Sequence, residues 1–526
     1  YRRPGGSMSL RPVQAAALCE AHDCQGLVMP AGVGSGKTLT SFLVPRAVGS
    51  QRPLLMVPAK LKHKTEREYE HLQREWVLPQ TRVISYEFLS REQNAAWLDT
   101  YQPDLIVCDE GHKLKNPKAA VTRRVQRYIR ARRPRVVVMS GTFTRRSLMD
   151  YWHILRWCLG DEHMPLPADW QEVMSWADAL DVKGDGFRTQ PGALSKLCNI
   201  NPLFHAEVTV EEARAAYRRR LTETPGVVAT AISEAADCSI YINHVNISLG
   251  PVAPHFETLR TKWETPDGHP FSEAVDLWRH ARELVCGFYY VWDPRPPMPW
   301  LAARRAWCKY VRETLKHSRK LDSELQVVKA VDRGELKSGV EVLAEWRAIR
   351  DTFVPNLVPR WVDDTTLRMA AKWLHDHVGI VWVEHRAFGE KLASMSGAKY
   401  YGQGGKAADG SNIEDEKGPC IASIAANAEG RNLQRFHQNL VVSCPPNGAT
   451  WEQLIGRTHR PGQQSDEVVF ETLLACTEQW AGMQRAIKDA QYIQSTTGSP
   501  QKLLFADIDI PNADEVALMS GDPLWG

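Results

Sequence analysis

Several features that would place a chain outside the ordinary globular class are missing from this sequence. No apolar run approaches the roughly 20 residues that a membrane-spanning helix needs. The eleven cysteines contain no Cys-x-x-Cys pair, which argues against zinc modules and disulfide frameworks and in favour of reduced thiols. Residues 1–9 are polar and lack the apolar core of a secretory signal peptide. We therefore expect a cytoplasmic chain with no membrane partner.

The size and the charge of the chain indicate more than one domain and a polyanionic partner. At 526 residues the chain exceeds what one hydrophobic core usually holds. The net charge of +3 hides an asymmetry, because residues 1–150 carry 25 Lys and Arg against 13 Asp and Glu. The remaining residues carry 40 against 49. A basic first part favours contact with a polyanion such as DNA, and a solvated basic surface is the alternative.

Short apolar runs bounded by turn residues alternate with helix-length stretches in two parts of the chain. The pattern is typical of a parallel sheet covered by helices on both faces, so we predict an α/β fold with two such lobes. The predicted strands are Gly26–Met29, Leu54–Val57, Arg82–Ser85, Leu105–Cys108, Arg135–Met139, Ile380–Val383, Lys399–Tyr401, Cys420–Ile424, Asn439–Ser443 and Val468–Leu473.

The sequence predicts two consecutive lobes followed by a short tail. The first lobe is expected at residues 1–230, with a helical protrusion from about residue 160. The second is expected at residues 231–495, with a helical protrusion at about 250–370. Residues 496–526 are interpreted as a C-terminal tail.

A glycine-rich segment at Ala31–Thr38 follows one predicted strand and opens a helix. Glycines allow successive N–H groups to converge on phosphate oxygens, and a helix N terminus adds a positive dipole end. Lys37 would reach the β- and γ-phosphates, while the hydroxyl of Thr38 would hold Mg²⁺. The predicted nucleotide-binding residues of this loop are Gly34, Ser35, Gly36, Lys37 and Thr38.

A second element supplies the carboxylates that a nucleotide site needs. The run Leu105–His112 is a buried strand that ends in two acids. Asp109 would bind Mg²⁺ through its water shell, and Glu110 would orient or deprotonate the attacking water. A strand end with solvated acids is the alternative interpretation.

The acidic motif Asp109–His112, with the following Lys113–Asn116, closely resembles motif II of the Swi/Snf-like branch of superfamily 2 helicases. In that branch an alanine at the place of Ala31 is usual. Further motifs of the family follow in order: Leu10–Gln14 resembles the adenine-sensing Q motif, Met56–Lys60 motif Ia, Ile84–Glu87 motif Ib, Ser140–Thr142 motif III, Gly430–Leu433 the end of motif V and Gln453–Gln463 motif VI.

The resemblance implies two RecA-like lobes, ATP and Mg²⁺ as ligands, and particular residue roles. Gln14 would read the adenine base. Gln453, Arg457 and Arg460 of motif VI would join Lys37 and the acidic pair in catalysis. Two arginines three residues apart on a helix present their guanidinium groups from one face, where they can stabilise the charge of a transferring phosphoryl group.

Contacts with nucleic acid are expected from both lobes. In relatives, motif Ia meets the phosphate backbone, which implies contacts by Lys60, Lys62 and Lys64, and motif V implies Asn432. The stretch Ala425–Glu429 carries less glycine than motif V of relatives usually does. Seven arginines between Arg123 and Arg135 either bind phosphates or are simply solvated. Tryptophans near residues 290–310 either stack on bases or pack inside the protein.

The leading functional hypothesis is a DNA-stimulated ATPase that moves along double-stranded DNA, as a compact bacterial or phage-type member of the family. A strand-separating helicase acting on DNA or RNA is the second reading. A nucleotide-switched scaffold that binds partner proteins is the third. The complete set of catalytic residues argues against the scaffold.

Overall fold

A computed structural model describes residues 1–31, 35–141, 147–181, 197–198, 208–229, 238–262, 264–268, 274–318, 321, 323–354 and 356–522. The chain divides into two compact units, neither of which is continuous in sequence. The first unit comprises Tyr1–Ser233, Pro296–Val354 and Tyr492–Pro500. The second comprises Glu234–Arg295, Pro355–Gln491 and Gln501–Gly526.

Each unit contains one sheet in which every described strand pair is parallel. The first unit has five strands in the order β1-β5-β4-β2-β3, and the second has seven in the order β10-β11-β9-β12-β13-β6-β14. A separate antiparallel pair, β7-β8, belongs to the second unit. The strands are β1 Leu27–Pro30, β2 Pro53–Val57, β3 Arg82–Ser85, β4 Leu105–Asp109, β5 Arg135–Ser140, β6 Ser239–Val245, β7 Phe288–Trp292, β8 Leu357–Trp361, β9 Gly379–Val383, β10 Lys399–Tyr401, β11 Cys420–Ser423, β12 Gln438–Val441, β13 Glu467–Leu473 and β14 Asp507–Asp509.

Helices connect and cover these strands. Within the described ranges, none of them has both the length and the apolar character that crossing a membrane requires. The helices are α1 Pro12–Cys24, α2 Lys37–Ala47, α3 Lys62–Leu72, α4 Tyr86–Ser90, α5 Trp97–Tyr101, α6 Ala120–Arg132, α7 Trp152–His163, α8 Trp170–Leu180, α9 Val210–Glu223, α10 Ala253–Lys262, α11 Ala274–Val285, α12 Met298–His317, α13 Glu324–Asp332, α14 Val340–Ile349, α15 Thr365–Asp376, α16 Arg386–Ser396, α17 Ile424–Asn427, α18 Gly448–Thr458, α19 Thr477–Thr497, α20 Lys502–Phe505 and α21 Ala513–Ser520.

The five-stranded sheet buries both of its faces. Along β4, for example, Ile106 and Cys108 join one hydrophobic cluster, whereas Leu105 and Val107 join another. Successive side chains of a strand point to opposite faces, so a strand covered on both sides must be apolar throughout. This is why the strands of a parallel sheet are readable as continuous apolar runs.

The predicted α/β fold with two RecA-like lobes is confirmed by these two sheets and their helices. All ten predicted strands are present, with ends shifted by at most two residues. Four further strands, β6, β7, β8 and β14, were not predicted. Strands β7 and β8 lie in the stretch expected to be a helical protrusion, β6 lies just before it, and β14 lies in the expected tail.

The helices α12–α14 pack with the first unit, although they follow β6 and β7 of the second in sequence. The guanidinium group of Arg123 binds the carbonyl oxygens of Leu315 and Leu321. Trp300 and Trp307 are 2% and 1% exposed, so these two tryptophans pack inside the protein. The assignment differs from the predicted one, in which residues 250–370 all belonged to the second lobe.

The described residues beyond 495, which were expected as a tail, belong to the two units: those up to Pro500 to the first and those from Gln501 to 522 to the second. Strand β14 pairs with β6 at the edge of the seven-stranded sheet, and the short helix α20 packs against α18. Strand β14 gives little local sequence signal, because two of its three residues are aspartates, a residue type depleted in strands.

A buried ion cluster attaches the last helix of the chain to the second unit. The guanidinium group of Arg260 binds the carboxylates of Glu478, at 2.7 Å, and of Asp522. All three side chains are at most 7% exposed. The two carboxylates hold the pKa of Arg260 above its usual range.

Replacement of Arg260 should destabilise this unit strongly. Arg260→Leu leaves two buried carboxylates without their cation, and breaking a buried pair in this way costs about 3–5 kcal/mol. Unfolding by urea, followed through tryptophan fluorescence, measures the change in free energy. The matched control is Arg279→Leu, whose side chain is 54% exposed and for which at most about 1 kcal/mol is expected. Equal effects of the two substitutions would contradict the role assigned to the cluster.

Candidate nucleotide-binding site

The loop between β1 and α2 carries the predicted phosphate-binding residues. Its last residue, Gly36, caps α2 with a φ of +77°, a region that glycine enters without steric cost. A Cβ atom built there would lie 2.2 Å from Nε2 of Gln14. Gly36 is therefore required both for its backbone angle and for the space beside Gln14. Ser35 is buried, whereas Gly34 lies outside the described residues.

Gln14, the predicted base reader, lies against this loop and is 3% exposed. Its Nε2 donates to the carbonyl oxygen of Gly36 at 3.0 Å. Its Oε1 accepts a hydrogen bond from the N–H of Arg11 at 2.9 Å. The structure thus brings Gln14 to the phosphate loop, with both ends of its amide bound to backbone groups. Its role in recognising adenine stays a prediction.

Lys37 and Thr38 are the first two residues of α2. The ammonium group of Lys37 donates to the carbonyl oxygen of Ala31 at 2.9 Å, so the side chain turns back over the loop. The positive end of the helix dipole adds to the charge of the lysine. A helix N terminus preceded by glycines and carrying a lysine is suited to binding a phosphate group.

The acidic pair lies at the end of β4. Asp109 is 9% exposed; its burial, together with the nearby carboxylate of Glu110, raises its pKa to about 7, and the ammonium of Lys37 opposes this rise. A buried carboxylate lacks the water that would stabilise its charge, and a divalent cation would supply that stabilisation. The carboxyl group of Asp109 and the hydroxyl of Thr38 are oxygen donors of the kind that Mg²⁺ prefers.

Two side chains to which the sequence analysis assigned no role hold the acidic pair. The hydroxyl of Tyr86 donates to the carbonyl oxygen of Asp109 at 2.7 Å. Nδ1 of His112 lies 3.2 Å from Oε2 of Glu110 and 3.2 Å from Oγ of Ser140. Tyr86 and His112 stand within predicted motifs Ib and II, but sequence spacing does not reveal which atoms they contact.

Motif III connects the phosphate loop to the acidic pair. Strand β5 lies between β1 and β4, and it ends at Ser140. The carbonyl oxygen of Ser140 accepts a hydrogen bond from the N–H of Ala31 at 3.2 Å, while its hydroxyl faces His112. Thr142 of this motif lies outside the described residues. The predicted site residues of the first unit therefore gather at the carboxyl edge of one sheet.

In the second unit the motif VI arginines converge on motif V. Nη1 of Arg457 and Nη1 of Arg460 each donate to the carbonyl oxygen of Arg431 at 3.1 Å. Arg457 is 4% exposed and also binds the carbonyl oxygen of Gln453 at 2.9 Å. Arg460 also binds Oδ1 of Asn432. The expectation that both arginines lie on one helix is wrong, because α18 ends at Thr458 and Arg460 follows its cap. Their common orientation comes instead from the carbonyl group that they share.

The lysines predicted to contact nucleic acid follow the carboxyl end of β2. Lys60, Lys62 and Lys64 are half-buried, and Lys62 lies 3.5 Å from the carboxylate of Glu66. The loop that precedes them is held by motif Ib, because the N–H of Ala59 donates to a carboxylate oxygen of Glu87 at 2.9 Å. Their contact with phosphates stays a prediction.

The seven arginines between Arg123 and Arg135 have different surroundings. Arg124 is 2% exposed and binds the carbonyl oxygens of Leu89 and Arg91. Arg135 donates to the carbonyl oxygen of Val48, and Arg123 binds α12 and its following loop as described above. At least these three arginines have structural roles. The exposed members of the cluster are Arg127, Arg130, Arg132 and Arg133.

Comparison with known proteins confirms the family resemblance. Residues 53–183 match the family described as SNF2-related domain. A segment of 66 residues is 39% identical to a protein of Drosophila melanogaster described as "Transcriptional regulator ATRX homolog". The match covers 12% of the present chain and 5% of that protein, so the two are alike over a small part of the relative's length.

The raised pKa of Asp109 predicts how stability depends on pH. In the unfolded chain this carboxyl group loses its proton near pH 3.8, whereas in the folded protein it does so near pH 7. The stabilising contribution of the protonated form is complete below about pH 3.8. It is lost as the pH rises through 7, where the buried group becomes charged.

Asp109→Asn should therefore raise the thermal unfolding midpoint at pH 8 and have little effect near pH 4. Each kcal/mol regained raises the midpoint by about 2–4 °C. Differential scanning calorimetry of the protein without nucleotide or Mg²⁺ measures the difference. Asp99→Asn, at an exposed position, is the control. A shift of the same size at both pH values would show that the buried charge is not its cause.

Proposed function

We propose, from the premise that this chain is a Swi/Snf-like member of superfamily 2, that it is a DNA-dependent ATPase that moves along double-stranded DNA. One observation carries the proposal: a phosphate loop, an acidic pair whose aspartate is buried and the serine of motif III meet at one edge of a parallel sheet. The matched SNF2-related domain contains the acidic pair.

In this proposal Lys37 and the backbone N–H groups of the loop bind the phosphates of ATP. Thr38 and Asp109 hold Mg²⁺, which neutralises charge on the phosphate oxygens. Glu110 orients the attacking water and accepts its proton. His112 fixes the carboxylate of Glu110 through the contact at 3.2 Å, since a general base acts efficiently only in a defined position.

Arg457 and Arg460 are proposed to stabilise the charge that develops on the transferring phosphoryl group. Their common contact with the carbonyl oxygen of Arg431 supports a joint role. Arginines supplied by a second unit make hydrolysis depend on the conformation of the whole chain. That dependence is how the energy of ATP would be converted into movement.

Double-stranded DNA is the proposed track. Lys60, Lys62 and Lys64 would bind its phosphates, which give affinity without sequence preference. The relative from Drosophila is described as a transcriptional regulator, which agrees with action on DNA.

Hydrolysis should depend on Lys37 and Glu110 in different ways. Lys37→Ala should abolish ATPase activity because phosphate binding is lost. Glu110→Gln should retain ATP without hydrolysing it, because the base is missing. Activity is measured with no nucleic acid, single-stranded DNA, duplex DNA and RNA in parallel, and ATP binding by equilibrium dialysis. Lys118→Ala, an exposed lysine, is the control. Turnover at the wild-type rate in either site variant would eliminate the proposed site.

The motif VI arginines should affect kcat far more than nucleotide affinity. Arg460→Ala should lower kcat by about 10³-fold, since a stabilising arginine acts mainly in the transition state. Arg386→Ala, whose side chain is 80% exposed in the same unit, should leave kcat unchanged. Steady-state kinetics and binding of a non-hydrolysable ATP analogue distinguish the two effects. An increase in KM with kcat intact would assign Arg460 to substrate binding instead.

Translocation without efficient unwinding is the expected movement, since Swi/Snf-like relatives typically track one strand of an intact duplex. A motor of this kind strips the third strand from a DNA triplex and leaves the duplex paired. Release of a labelled third strand, with ATP and with the non-hydrolysable analogue, measures it. Separation of forked duplex strands without triplex displacement would favour the helicase reading.

A further inference from the structure

A buried lysine beyond the predicted motifs contacts both halves of the motif VI helix. Lys502 begins α20 and is 4% exposed. Its backbone N–H donates to Oε2 of Glu452 at 2.6 Å, and its Nζ lies 3.3 Å from Nδ1 of His459. Glu452 lies on α18, and His459 caps the C-terminal end of that helix. Lys502 thus contacts one residue that precedes Arg457 in sequence and one that follows it.

The contacts of His459 define its protonation state. An ammonium group can only donate, so Nδ1 of His459 accepts from Lys502. The other nitrogen, Nε2, lies 2.9 Å from the carbonyl oxygen of Cys238 and must donate to it. The ring is therefore neutral, with its proton on Nε2. Burial and the charge of Lys502 lower the pKa of His459, in agreement with this assignment.

The chain of contacts leads directly to the arginines. His459 is followed by Arg460, and the carbonyl oxygen of Arg457 accepts a hydrogen bond from the N–H of Leu433 at 3.1 Å. A ring bound at both nitrogens cannot rotate without breaking a hydrogen bond. Cys238 directly precedes β6, so the helix end is tied to the sheet on one side and to α20 on the other.

Burying a lysine here is costly, because an ammonium group loses its hydration. An apolar side chain of similar length would fill the same volume at lower cost. The contact of this buried ammonium group with the ring of His459 is therefore better explained by the unique geometry it imposes than by a gain in stability, as for buried polar groups that fix the register between helices.

We propose that Lys502 is a positioning residue for Arg460 of motif VI, acting through the contact of its ammonium group with His459, while its backbone N–H holds Glu452. It fixes the C-terminal end of α18, from which the guanidinium group of Arg460 reaches the carbonyl oxygen of Arg431 beside that of Arg457. The expected loss of kcat rests on the proposed ATPase function. The expected loosening of the helix end does not.

Lys502→Met keeps the length of the side chain and removes the ammonium group. Because small displacements of catalytic groups lower the rate of the chemical step steeply, kcat should fall by about 10–100-fold. Affinity for a non-hydrolysable ATP analogue should be retained. The double variant Lys502→Met/Arg460→Ala should be no slower than Arg460→Ala alone, since both changes remove the same contribution. Lys488→Met, an exposed lysine on α19, should leave kcat unchanged.

Hydrogen exchange followed by mass spectrometry provides a readout independent of ATPase activity. Peptides that cover residues 448–463 should exchange faster in Lys502→Met than in the wild type or in Lys488→Met. If Lys502→Met does not fold, His459→Gln removes the acceptor Nδ1, keeps an N–H donor in the place of Nε2 for the carbonyl oxygen of Cys238, and should give the same two results.

Unchanged exchange together with unchanged kcat would overturn the proposal. Losses of kcat that multiply in the double variant would also overturn it, because they would show that Lys502 does not act through Arg460. If the wild-type protein hydrolyses no ATP with any nucleic acid, the proposed function fails. The exchange result then decides by itself for or against the positioning role.

Discussion

A carboxyl group at the end of a fully buried strand determines the chemistry of the first unit. The four residues of β4 before Asp109 are 0% exposed, so the chain delivers this carboxylate to a place with little water. The free energy of its charge is then unfavourable until a cation approaches. The ammonium of Lys37 supplies part of that compensation, and Mg²⁺ would supply more. Under the proposed function, the free energy lost by burying this charge would be recovered when a metal-bound nucleotide binds.

Parallel strands explain why the other site residues gather around this carboxylate. All strands of the sheet end at the same edge, and the apolar runs that fill the interior stop there. The polar residues that follow each run are therefore brought together without being close in sequence. Ser140, between the phosphate loop and His112, shows the result, because its backbone serves one element and its hydroxyl faces the other.

The burial of parallel strands also determines which parts of the fold can be predicted from the sequence. Strands such as β2, β4 and β9 were found because they are covered on both faces and are therefore apolar throughout. Strand β14, Asp507–Asp509, escaped prediction because two of its three residues are aspartates, which are depleted in strands. The placement of α12–α14 also escaped it, since the contact of one guanidinium group with the carbonyl oxygens of a distant helix and its following loop cannot be read from sequence spacing. Motifs predicted Lys37 and Asp109 as site residues. The contacts made by Tyr86 and His112 could be seen only in the structure.

The number of charged side chains available to bind a polyanion is what the sequence overestimates most clearly in this chain. The arginine cluster around α6 resembles a polyanion-binding helix when its residues are simply counted. Arg123, Arg124 and Arg135 instead bind backbone carbonyl oxygens, a task for which five N–H donors in a rigid fork are well suited. Because a guanidinium group engaged in this way would have to break those bonds before binding a phosphate, these three are poor candidates for DNA contacts. Any affinity of this helix for nucleic acid must come from its exposed members, and its salt dependence should be shallower than the full count of charges implies.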